Sequence, residues 1–137
     1  MTTLGKKNMI FGLAYFLTTL ALGMFLASKM GSGGPEWANS MQRAVLKAAH
    51  AHGNLEAVLN IVLGFLLCRF GAPSVRLAQV ASVLLIVGAL GHSGMLYLGG
   101  LGLSTAFNLT PIGGISLIAA IALMIPILIK GVQPEER

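Results

Sequence analysis

The chain has 137 residues and a formal net charge of +5, with 55% hydrophobic and only 9% charged residues, whereas soluble domains hold about 45–50% apolar and about 25% charged residues. That balance excludes an ordinary soluble globular domain. The single cysteine excludes an internal disulfide and any cysteine-based zinc site within one chain. The expected fold class is all-α, an integral membrane four-helix bundle forming one domain over residues 1–137, because the apolar residues fall into several long runs.

The first run extends from Met9 to about Ser28. Lys6 and Lys7 precede it, as they would a secretory signal, but its apolar stretch exceeds the roughly 7–15 residues of a signal core, and Ser28-Lys29-Met30 is a poor cleavage site. It is read as a retained helix. A glycine-rich turn follows, then Pro35-Glu36, a helix-start signal. The second helix is therefore expected over 36–67, with 48–67 in the membrane. Unbroken from Glu36 to Leu67 it would measure about 48 Å, longer than a hydrocarbon core of about 30 Å. Trp37 is then a natural interface anchor.

A tight turn with Gly71 and Pro73 leads to the third segment, over about 77–98. The glycine-rich, uncharged loop GGLGLSTAFNLTP suits either an ordinary outer loop or a flexible cover over a cavity. The fourth segment runs over about 111–129, and GVQPEER is a solvated tail.

Lys6, Lys7, Arg69, Arg76, Lys130 and Arg137 fall on the side shared by both termini, against Lys29, Arg43 and Lys47 on the other. The positive-inside rule puts both termini in the cytoplasm, and a bacterial inner membrane is the expected location. Topology and anionic lipid account for the positive charge, so no nucleic-acid partner is expected. Cys68, at a helix end beside Arg69, reads as packing rather than as a nucleophile.

The second segment breaks the apolar pattern with KAAHAHGNLEAVLN, residues 47 to 60. Groups four apart stack on one helix side with a drift of about 40°, so His52, Glu56 and Asn60 form one polar stripe. Arg43, Lys47, His50 and Asn54 lie on nearly the opposite side. His50 and His52 are about 200° apart and cannot hold one metal together from the same helix. An ionisable group at membrane depth costs roughly 2.5–3.5 kcal/mol even on lenient scales, so the stripe is expected to face inward, towards a pocket that holds a guest. The plainer reading is helix glue, at about 0.6 kcal/mol per interhelical hydrogen bond.

In the third segment, GALGHSGMLYLGG sets His92 among Gly88, Gly91 and Gly94, small residues that let a helix or a flat cofactor approach closely. Tyr97 follows near the outer interface, where an aromatic-belt role competes with catalysis. Zinc needs several converging ligands. Haem needs one axial histidine, an apolar slot and small neighbours, and fits this inventory better. The absence of Cys-x-x-Cys-His excludes c-type attachment.

The order Gly-Pro-Glu-Trp-Ala (34 to 38), an Ala-His pair entering the second helix, Leu59-Asn60, and Gly-His-Ser-Gly-Met-Leu-Tyr ending the third resembles the styrene oxide isomerase family of small four-helix membrane proteins. The resemblance implies haem b held by a second-helix histidine, in a homotrimer with haem between subunits. It further implies ferric iron acting as a Lewis acid on an apolar epoxide, with a hydride shift giving an aldehyde. His52 or His50 would be the axial ligand, Asn60 would bond the substrate, and Tyr97 would be the family's third-helix tyrosine.

His52 is the expected metal ligand because it shares a face with Glu56 and Asn60. Glu56, Asn60 and Tyr97 are the expected catalytic groups. His52, His50, His92, Gly91 and Gly94 are the candidates for holding the haem. The alternatives are a non-enzymatic haem protein for electron transfer or gas sensing, with His92 as a second axial ligand, and a small accessory subunit of a membrane complex.

Overall fold

The chain is described from a computed structural model over residues 2–132; Arg137 and the tail beyond residue 132 lie outside these. The elements in order are α1 (Lys6–Ser32), α2 (Gly34–Ala38), α3 (Met41–Phe70), α4 (Val75–Ala89), a π turn (Leu90–Gly94), α5 (Met95–Gly100) and α6 (Thr110–Gly131), with short 3-10 turns at Ala72–Ser74 and Ser104–Leu109. The fold is all-helical among the described residues. Four rods, Lys6–Ser32, Met41–Phe70, Ala72–Gly100 and Ser104–Gly131, are long and apolar enough to cross a membrane. The first, third and fourth overrun the segments expected from sequence at both ends, and the second ends later than expected, at Phe70.

The unbroken second helix from Glu36 is corrected. Pro35 and Glu36 do start a helix, but α2 stops at Ala38, and α3 begins afresh after Ser40. Ser40 is extended (φ −76°, ψ 145°), and its hydroxyl accepts the Arg43 N–H at 3.1 Å, so a local N-cap outcompetes helix continuation. The chain reverses into α2 at Gly34, whose φ of +66° is costly for a residue with a side chain. Trp37 folds back edge-on to Phe25, with ring centroids 6.0 Å apart, and packs on Leu22, Leu46 and Ala49.

The bundle is apolar outside, and inside it buries small and polar residues beside two apolar clusters. Leu17 and Ile129 are 69% and 73% exposed, while Ala57, Ala78, Ala81, Ala89 and Ala120 are buried along with Asn8, Asn60 and Ser82. Small residues allow close helix approach: a side chain on Gly5 would strike Gly64 of α3, and one on Gly113 would strike the backbone of Gly91 and His92. Along α3, Leu46 and Ala49 belong to one apolar cluster and Leu67 to another, with Glu56 and Asn60 between them. The third loop is mostly a 3-10 turn rather than an open cover, and its Phe107 ring lies against Gly99.

Candidate metal centre

Three rods meet at Glu56. In a regular α-helix neighbouring side chains diverge by about 100°, but Leu90–Gly94 forms a wider π turn, which lets two consecutive residues address one carboxylate. His92 Nδ1 lies 2.5 Å from Glu56 Oε1, and Ser93 Oγ donates to Oε2. The Ser93 hydroxyl is also 2.7 Å from the hydroxyl of Tyr15 on α1, which lies 3.4 Å from the Ala89 carbonyl. Glu56 is only 3% exposed, and both its oxygens are satisfied, which is how a buried acid is tolerated.

His52 stands one turn before Glu56 on α3. It is exposed on the outer surface, and its ring lies 4.9 Å from that of His92 at 77°. One ligand atom from each of His52, Glu56 and His92 falls within 4.8 Å of the other two. The histidine hydrogen bonds among the described residues belong to His50 and His92, so the His52 nitrogens are uncommitted. A carboxylate accepting from Nδ1 fixes the His92 tautomer and leaves Nε2 with its lone pair. His92 is partly exposed, at 23% for its side chain.

The inward-facing stripe is corrected in part. Glu56 and Asn60 do point inward, but into solid packing, whereas the drift of the stripe turns His52 to the outer surface. Asn60 is fully buried: its Nδ2 donates to the carbonyls of Glu56 (3.0 Å) and Leu85 (3.2 Å), and its Oδ1 accepts from Asn8 Nδ2 (3.1 Å). Asn8 also donates to the Ser82 carbonyl (2.8 Å), and Ser82 Oγ returns a bond to Asn8 Oδ1 (2.5 Å). This knot ties α1, α3 and α4 together. Asn60 thus makes the interhelical hydrogen bonds of the helix-glue reading, while His52 and Glu56 lie close to His92.

His50 faces α1, nearly opposite His52 as the spacing requires. Its Nδ1 lies 2.8 Å from the Thr19 carbonyl and its Nε2 3.3 Å from Asn54 Nδ2, while Thr19 Oγ1 donates to Asn54 Oδ1 at 2.6 Å. Both His50 nitrogens are occupied. Gly91 packs against Gly113, and Gly94 faces the Tyr15 hydroxyl, so these glycines serve helix contacts. Tyr97 lines a cavity of about 50 Å³ with Tyr15, Thr19, Ala49, Ser93 and Gly94. That holds a few waters at about 10–15 Å³ each and is far too small for a porphyrin. Cys68 is buried and free, as expected of a packing residue.

Sequence reasoning missed Tyr15, Ser93, Asn8 and Ser82. Tyr15 interrupts an apolar run and was a readable signal; Asn8 was hidden by the lysines before it, and Ser93 by the histidine beside it. No family model, curated protein or solved structure matches this chain.

Proposed function

We propose that the chain spans a bilayer and carries haem b on the outer face of its bundle, with His52 as iron ligand. We further propose that it isomerises an apolar epoxide to a carbonyl compound, as its resemblance to the styrene oxide isomerases implies. The observation that carries this reading is an exposed, uncommitted histidine beside a second histidine oriented by a buried carboxylate. Four rods with apolar outer surfaces support membrane insertion, with both termini cytoplasmic by the lysine and arginine count and a bacterial inner membrane as the setting.

The donor set fits haem on the outer face rather than in the interior, whose enclosed space near Glu56 is about 50 Å³. Haem there needs a second wall, which a further copy of the chain would supply. A homo-oligomer follows, a trimer if the resemblance holds. Ferric haem bound there supplies a Lewis acid for the epoxide oxygen. His52 holds the iron. Glu56 keeps the His92 proton on Nδ1, so Nε2 can accept a proton or a hydrogen bond from a guest on the same face. The apolar surface excludes water from that step. Rings 4.9 Å apart leave no room for a porphyrin between them, which weighs against His52 and His92 as opposed axial ligands in one chain.

A second reading is favoured by the same cluster: a divalent ion bound directly by His52, Glu56 and His92. One Glu56 oxygen would suffice beside its present hydrogen bond, but the three ligand atoms, now within 4.8 Å of one another, would have to converge to about 2.0–2.2 Å from a zinc ion. Hemin titration of purified protein separates the readings. His52→Ala should abolish hemin binding and His50→Ala should retain it. Retention by His52→Ala would refute the ligand assignment, and metal analysis finding one zinc per chain without porphyrin would favour the second reading.

A further inference from the structure

A groove of about 330 Å³ runs between α1 and α3 on the side away from His52, lined by Leu26, Ala27 and Met30 on one wall and Arg43, Lys47 and His50 on the other. Its two walls differ in chemistry. Arg43 and Lys47 are four residues apart, where like charges on a helix repel. No carboxylate among the described residues lies within ion-pair distance of Arg43 or Lys47, so neither cation is neutralised there. Arg43 Nη1 donates to the Ala38 carbonyl at 2.9 Å, which fixes the guanidinium and leaves its other donors free. The floor is formed by His50, whose nitrogens are already engaged and whose ring fits only because Gly23 lacks a side chain.

We infer that this groove binds an anionic phospholipid, its phosphate held between Arg43 and Lys47 and an acyl chain laid along Leu26 and Met30. Charge complementarity selects the headgroup: two cations line the groove and no carboxylate does. The apolar wall selects an amphiphile over a free anion, since Met30 is 76% exposed and needs cover. By the lysine and arginine count Arg43 and Lys47 face the outer leaflet, so the headgroup is an outer-leaflet one, and each cation near the surface contributes about 1 kcal/mol. The inference depends on membrane insertion and not on the haem site.

The test is native mass spectrometry of the full chain released from nanodiscs holding equal phosphatidylglycerol and phosphatidylcholine with identical acyl chains. One phosphatidylglycerol per chain should survive, with about fivefold weaker retention in Lys47→Gln and about thirtyfold weaker in Arg43→Gln/Lys47→Gln. Lys47→Gln leaves the Ala38 contact intact, so its loss cannot be ascribed to misfolding. Equal retention of the two lipids, unchanged retention in both variants, or occupation by a fatty acid would overturn the proposal. Hemin binding should be unchanged in Lys47→Gln, which keeps this test separate from that of the metal centre.

Discussion

Glu56 is the only carboxylate within the four rods, and its two oxygens serve two different residues. Glu56→Gln keeps the volume but removes the charge and turns one acceptor into an amide donor, so Ser93 must accept rather than donate and the hold on His92 weakens. Hemin held by His52 should still bind, while epoxide turnover by the loaded protein should fall about 100-fold or more as His92 loses its orientation for proton transfer, which an isomerisation assay beside a Soret titration would read. Asn60→Ala should behave differently. It removes the bonds to Asn8 and Leu85 and should cost roughly 1–2 kcal/mol of unfolding stability, since such bonds average about 0.6 and reach about 1.7 kcal/mol. Hemin uptake should not change; a loss would put Asn60 in the site after all. The kinship of His52 with Glu56 was legible because spacing within one helix fixes relative direction. The partnership of Glu56 with His92 and Ser93 was not, because helical periodicity says nothing about which face of another helix lies opposite.

At the scale of elements, the π turn is the device that assembles the site. A single extra residue in the ladder turns both His92 and Ser93 to α3, and such turns are frequent at functional sites. Deleting Leu90 should restore a regular helix in which only one of the two can reach Glu56. The variant should keep its helix content by circular dichroism and the hemin that His52 holds, yet isomerise an epoxide at least about 100-fold more slowly, as expected when a proton-transfer group loses its orienting partner. Undiminished turnover would show that the turn is incidental. The four rods themselves were plain in the sequence because apolar run length reports them directly. The π turn was not, since GALGHSGM contains nothing that a regular helix would reject, and the α2–α3 break was signalled only by the cap-forming pair Asn39-Ser40.

For the whole molecule, the outer surface is apolar while Asn8, Asn60, Ser82, Ser93 and Glu56 are buried, so insertion and orientation are the properties to test. Cys68 is 2% exposed and should be silent to maleimides in the folded protein, giving a clean background for single cysteines. Cysteine at Ser32 or Ser104 should label from outside intact cells, and cysteine at Ser74 only after permeabilisation; the reverse pattern would invert the topology. Composition made the membrane class legible, whereas the outward aspect of His52 depends on where neighbouring rods pack, and that moved the proposed guest from the bundle interior to its surface. The absorption spectrum of the detergent-purified wild-type chain, saturated with hemin and freed of excess, tests this most directly. The account predicts a Soret band at one haem b per chain that disappears in His52→Ala. A wild-type chain that stays colourless after hemin is added would contradict it.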